Sequence, residues 1–444
     1  MPDTATKPSL STHRRWRLVT LCAMYFAQGL PWGFMTVTLV AWLAKQGSTT
    51  DETGSLLFWC TVPWSIKFLW GPVIDRFTYA VMGRRRPWIL LAQAVMILSM
   101  LVLCLLTDVA NQLVLLSWLL CFHNIACSLQ DVAVDALAVD ILTDDERGKA
   151  NGLMWGSKFL GIAGGGAGIA TVMAATSFNV AVLVQVVTLL GLMLFPLLLR
   201  ERPEERLLPW TPGQASPVVV AARPESMSDV FKSLFKAMRL RSSIMGAVFA
   251  LLCSIPVGIA AAVGPVLITQ ELGWTSEFYA QIAGGPGMIA GLAAAIVGGW
   301  IVDRLGARTT IGVGYACLAL NFTVFGLFPS LWASKTFVII NMCGHLAFFS
   351  LATVAKFSLF MRISWTRIAG TQFTGYMAFL NASTAIGYVL AGPVDRLLSY
   401  PHIYLVCAAG AALVILLLPL IDPTQTQREL NPIDDPSSQG ELIS

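Results

Sequence analysis

The sequence predicts an all-α membrane protein of twelve transmembrane helices arranged as two six-helix halves. Three observations predict it. Long apolar runs recur along all 444 residues, of which 56% are hydrophobic and 12% charged, about half the charged share of a soluble domain. Lysine and arginine gather in alternate connections. A Gly-x-x-x-Asp-Arg motif recurs at the matching place of each half, as GPVIDR at 71–76 and GWIVDR at 299–304.

The apolar runs cover residues 18–43, 53–75, 88–106, 112–141, 149–175, 180–199, 243–270, 276–302, 309–328, 334–361, 368–394 and 401–421. Each reaches or approaches the ~20 residues that cross a bilayer as helix, and the two longest, 112–141 and 334–361, should tilt or project. Only a helix satisfies its backbone alone in hydrocarbon. With both ends in the cytoplasm, Lys45, Lys335 and Arg396 lie outside and Lys67, Lys158 and Lys356 lie within spans, and the rest of the 29 basic residues lie on the inner side. That bias sets the orientation. The chain is therefore expected to be a multi-pass membrane protein with both termini cytoplasmic.

Five segments follow. Residues 1–17 form a cytoplasmic tail, polar and basic, with no cleavage site after the first apolar run. Residues 18–199 form the first bundle and 243–421 the second. Between them, 200–242 is a cytoplasmic loop in which Phe231, Leu234, Phe235 and Met238 fall at i, i+3, i+4 and i+7, the pattern of a helix on the inner membrane surface. Residues 422–444 are polar and acidic and read as a disordered tail. The nine cysteines all fall within spans, without CxxC or Cys/His spacing, and read as apolar fillers.

The fourth run carries SLQDVAVDALAVDIL at 128–142, three aspartates among Val, Ala, Leu and Ile. A charge at mid-bilayer costs roughly 2.5–3.5 kcal/mol by insertion scales, so such acids face a protein interior or a water path. Asn124, Ser128, Asp131 and Asp135 share one helix face. At 1.5 Å per residue, Asp131 lies ~16 Å and Asp135 ~10 Å from the inner end, with Lys158 at ~14 Å and Lys67 at ~12 Å. Two acids and two lysines at one depth read as a proton-coupling network or as a permanent structural salt bridge. Asp140 sits at the inner end and reads as part of a cytoplasmic gate with Asp75, Arg76, Arg84, Arg85, Arg86, Arg147, Asp303, Arg304 and Arg308.

Candidate substrate contacts are Gln28, beside the Gly29 and Pro31 that interrupt the first span, Gln130, Asn124, His345, Lys356 and Asn381. Each has a plainer reading: a packing kink for Gln28, a core histidine for His345, and for Lys356 a side chain snorkelling to water. The glycine runs at 161–168, 282–291 and 387–393 predict close helix packing. They are not phosphate loops, since GGGAG lies within a span without a Walker lysine.

The paired Gly-x-x-x-Asp-Arg motif resembles the signature loop of the major facilitator superfamily. More narrowly, YFAQGLPWGF (25–34), KFLWGPVIDR (67–76), GRRRPW (83–88), SLQDVAVDALAVDIL (128–142) and ERGKANG (146–152) together resemble the AmpG-type muropeptide permeases and their relatives that carry acetyl-CoA or siderophores. The resemblance is dense over 18–170 and rests on the fold pattern beyond it. It implies a proton-coupled secondary transporter that imports a small amphiphilic solute, muropeptide-like first, siderophore or CoA-like second. It implies no cofactor, the proton gradient being the energy source, and no partner beyond substrate and lipid bilayer, the chain working as a monomer. A membrane receptor or an enzyme using the buried aspartates is the competing class. No HExxH, GxSxG or metal-ligand spacing supports an enzyme, and nothing suggests nucleic acid.

Overall fold

The computed structural model describes residues 9–142, 144–217, 227–365 and 368–430. Eleven helices among them are long and apolar enough to cross a membrane. In chain order, the first half holds α1 (Arg14–Lys45), α2 (Thr50–Ser65), α3 (Trp70–Arg76), α4 (Arg86–Leu105) and α5 (Leu113–Ile141). It closes with α6, which starts as Asp144–Ala163 and runs on through Gly164–Gly168 and Ile169–Ala175, and α7 (Phe178–Leu198). After the connecting helix α8 (Met227–Met238), the second half holds α9 (Arg241–Glu271), α10 (Ser276–Leu305), α11 (Ala307–Leu327) and α12 (Lys335–Ile363). It ends with α13 (Ala369–Leu397), α14 (Tyr400–Leu420) and the short α15 (Gln425–Leu430).

The expected second span is not one helix. It breaks after Ser65 into a 3-10 turn, Lys67–Leu69, before resuming as α3. Pro63 and Pro72 each lack a backbone donor, so the hydrogen-bond ladder is already weakened on both sides of Lys67. The break has a consequence for the site. A 3-10 turn has three residues per turn and stacks i over i+3, which lines up Trp64, Lys67 and Trp70.

Helices α1 and α6 pack backbone to backbone. A Cβ on Gly33 would overlap the Ile162 carbonyl oxygen, and one on Gly165 that of Leu30. Both helices carry a π turn there, Phe34–Leu39 and Gly164–Gly168. Thr38 Oγ1 donates to the Gly165 and Gly166 carbonyls at 2.8 and 2.6 Å, supplying a donor where the wider turn has displaced the usual one. Most of these glycines therefore bind one half together, and so do Gly258 and Gly387 in the second half. Gly166 differs, because it meets Gly284 across the seam between halves.

The connection that opens the central loop is ordered. Leu10 and Ser11 donate to the carbonyls of Arg200 and Glu201, which places both on the face where α1 begins, here the terminal face. The Arg86 guanidinium donates to the carbonyls of Pro196, Leu197, Arg206 and Leu207. Glu201 Oε2 accepts the backbone N–H groups of Arg85 and Arg86 at 3.0 and 3.2 Å, capping α4. Glu205 lies beside Glu201, and burial with that neighbouring charge pushes its carboxyl up to about 8. A carboxyl raised in the folded chain stabilises it in the protonated form, and the contribution is lost as pH rises through the folded value. The native chain in detergent is therefore expected to melt progressively lower from about pH 5 to 8, and Glu205→Gln to flatten that slope; a thermal melt at stepped pH checks it.

On the terminal face the α8 helix forms where the apolar spacing predicts one, and the tail needs correction. The α8 helix buries Ala237 against Trp365 and Ile368 of the second half, so its inner face meets protein, while Phe235 stays exposed; the side chain of Phe231 lies outside the described residues. The tail is folded at its start. Thr426 of α15 is buried and donates to the Ile363 carbonyl at 2.8 Å, because the end of α12 leaves that oxygen without a helical partner. Residues 431–444 lie outside the description.

The halves meet away from the terminal face. Gln270 Nε2 donates to the carbonyls of Ala44 and Ser48 at 2.7 and 2.8 Å. The Arg396 guanidinium lies 3.5 Å from Asp51, and Asn381 Nδ2 donates to the Trp64 carbonyl at 3.1 Å. Toward the terminal face Trp155 meets Phe357 at 6.1 Å between ring centroids, and Asp135, well inside its span, is exposed.

Candidate functional site

The polar face of α5 is matched partner for partner. Trp64 Nε1 donates to Asn124 Oδ1 at 2.9 Å, and Trp70 Nε1 to Ser128 Oγ at 3.0 Å. Lys67 Nζ donates to Asp131 Oδ2 at 2.8 Å. The aligned Trp64, Lys67 and Trp70 thus supply the donors, and the 3-10 turn is what aligns them. Asp135 accepts from the Tyr25 hydroxyl of α1.

Lys158 of α6 completes the cluster. Its Nζ lies 3.5 Å from Asp131 Oδ1 and donates to Gln28 Oε1 at 3.2 Å. Three rings surround it, with centroids 4.9 Å (Trp64), 5.3 Å (Trp155) and 5.7 Å (Tyr25) away. Asp131 is 3% exposed and holds two ammonium groups. Lone pairs on both oxygens are used, as a buried carboxylate requires. Asp135 stands one turn nearer the terminal face, open to solvent. The arrangement is a buried ion-pair triad with a second acid at its water-facing edge.

Of the sequence candidates, Asp131, Asp135, Lys67, Lys158, Gln28 and Asn124 come together here. Gln130 does not. It is fully buried and donates to the Met24 carbonyl inside the bundle, because adjacent helical residues point about 100° apart. Asn381 joins the seam through Trp64. His345 lies in the second half with its ring 5.3 Å from that of Phe322, away from the triad. Lys356 neither snorkels nor lines an opening. At 1% exposure it donates to the Tyr315 hydroxyl at 3.3 Å and faces the Phe349 ring at 4.7 Å, held in the bundle by rings that accept its charge.

Several of the expected gate residues have contacts within their own half. Arg85 Nε pairs with Asp140 at 2.9 Å inside the first half, Arg86 staples the ordered linker, and Arg308 donates to the Ile421 carbonyl inside the second. Arg304 stacks on Trp300 at 3.8 Å. A lock between halves must bridge them, whereas these particular contacts each brace one half. The side chains of Asp75 and Arg147 lie outside the described residues. Tyr25 and Gln270 carry roles that the sequence did not assign, and the aromatic residues flanking Lys158 were the available signal for Trp155.

Two six-helix halves around a charged wall define a membrane transporter. The Major Facilitator Superfamily model matches residues 21–362, and the chain belongs to that family. It is 25% identical over 418 residues to the anhydromuropeptide permease of Escherichia coli (strain K12), covering 90% of this chain and 79% of the permease. An uncharacterized Haemophilus influenzae protein is 31% identical over 150 residues, 32% of this chain and 33% of that protein. The fold is similar to that of the nucleoside transporter NupG, with TM-score 0.70 and 12% identity over 91% of this chain and 98% of that one. A D-xylose-proton symporter gives 0.69 and 12% over 93% and 98%.

Proposed function

We propose that this transporter is a proton-coupled symporter that imports an anhydromuropeptide-like solute into the cytoplasm by alternating access. In this reading it sits in the inner membrane as a monomer, termini in the cytoplasm, driven by the proton gradient without a bound cofactor. The observation that carries the reading is Asp131 held between Lys67 and Lys158 from two other segments of the same half. A coupling ion needs a site whose affinity differs between access states. An acid whose lysine contacts tighten or loosen as the halves move has that property, and the exposed Asp135 gives protons a way out at the terminal face. The permease resemblance over 90% of the chain favours a muropeptide among amphiphilic cargoes.

The test is uptake of labelled anhydromuropeptide into right-side-out vesicles. A pH gradient, acid outside, is expected to drive accumulation, and Asp131→Asn to reduce it to the level seen without a gradient. Accumulation indifferent to both would sink the coupling. Competition by a siderophore or acetyl-CoA, with none by muropeptide, would replace the cargo and leave the coupling standing.

A further inference from the structure

We infer that Lys158 is the receptor for a carboxylate on the transported solute, which it takes up in exchange for Asp131 when the acid pair gains a proton. The inference rests on the proton-coupled reading and adds the charge class of the cargo, with one proton carried for each negative charge.

The two lysines are held differently. Lys67 makes a direct 2.8 Å bond to Asp131. Lys158 stands off at 3.5 Å and is placed by Gln28 and by three aromatic faces. Ring faces attract an ammonium without taking its place as a hydrogen-bonding anion, so Lys158 stays positioned if Asp131 lets go. Its cage opens toward the space between the halves. Trp155 is 43% exposed and touches Phe357 of the other half, so an anion reaching Lys158 would be flanked by rings from both halves.

Charge balance then dictates the order. The titratable groups around Asp131 are Lys67 from the break between α2 and α3, Lys158 from α6, Tyr25 from α1, and Asp135 and the Cys127 thiol from α5. With both acids ionised, two carboxylates face two ammoniums and the empty site is neutral. An anion alone would set its carboxylate beside that of Asp131, and a proton alone would leave Lys158 without a facing carboxylate. Each is costly, whereas together they restore neutrality. Proton and carboxylate therefore promote each other's binding by the same factor.

Benzoate, with benzamide as its uncharged counterpart, tests this on the purified full chain in detergent, read by tryptophan fluorescence because Trp64 and Trp155 border Lys158. Benzoate is expected to bind about tenfold tighter at pH 6 than at pH 8, within the usual range of coupling between sites, and benzamide to bind equally at both. Lys158→Gln should lose the benzoate response, Lys158→Arg should keep it, and Asp131→Asn should bind benzoate with little pH dependence. No benzoate response in the native chain, no rise toward pH 6, or equal binding by Lys158→Gln overturns the assignment. Benzoate binding of the expected pattern in a chain whose vesicles show no gradient-driven uptake would keep Lys158 as an anion receptor and remove the symport reading. Gradient-driven uptake alongside an unaltered Lys158→Gln would do the reverse.

Discussion

Lys67→Met is expected to cost about 3–5 kcal/mol of stability, the usual penalty for removing one member of a buried ion pair. Lys67 supplies the short bond to Asp131, and both side chains are largely shielded, at 16% and 5% exposure. Without it the carboxylate keeps only the more distant Lys158. Methionine fills the volume of the lysine stem, so the loss reports the charge and not a cavity. The double variant Lys67→Met/Asp131→Asn should recover most of the loss, since an uncharged pair leaves no orphaned ion. Thermal melts of the three chains in one detergent give the comparison. A single variant as stable as the native chain would mean that Asp131 is not committed to Lys67.

Why this pairing is legible in the sequence, and others are not, follows from how few charges the spans contain. Topology and a fixed rise per residue place Asp131, Lys158 and Lys67 within a few ångströms in depth, and hydrocarbon leaves a charge little choice but to find another. Depth says nothing about azimuth. Asp131 and Asp135 share a face, yet Asp131 takes both lysines while Asp135 takes Tyr25, and the packing of α1, α6 and the 3-10 break against α5 decides that. Lys356 shows the same gap in reverse. Its depth is compatible with snorkelling, but its side chain faces Tyr315 and Phe349 instead of the helix end.

The second span reads as continuous in the sequence although Pro63, Lys67 and Pro72 all lie in it. Its 3-10 break is the device that aligns Trp64, Lys67 and Trp70 with α5, so the irregularity that hydropathy hides is part of the site. The gate is hidden for a different reason. Arginine-rich loops at helix ends look alike whether they bridge two halves or brace one, and Arg85 with Asp140 braces one. The contacts that join the halves include Gln270, Asn381, Gly166 with Gly284 and an Asp51–Arg396 pair at the ends of helices, and nothing in the sequence sets these residues apart from their like elsewhere.

Those glycines yield the second large effect. A Cβ on Gly284 would overlap the Ala167 nitrogen and stand 3.1 Å from the Gly166 Cα, backbone that cannot rotate aside. Gly284→Leu should therefore leave each half folded but prevent the halves from meeting opposite the terminal face. Overpacking of this kind costs typically about 1–3 kcal/mol, and each ~1.4 kcal/mol shifts a two-state population about tenfold. Since the penalty falls on one access state only, the alternate state gains population and transport falls by about tenfold or more. Ser48→Cys in a cysteine-free background reports the shift. Ser48 is buried, its carbonyl bound by Gln270, so an impermeant maleimide applied to that face should label it slowly in the native chain and roughly tenfold faster with Gly284→Leu. Unchanged labelling with lost transport would place the fault within one half, and unchanged transport would show that the halves need not close there.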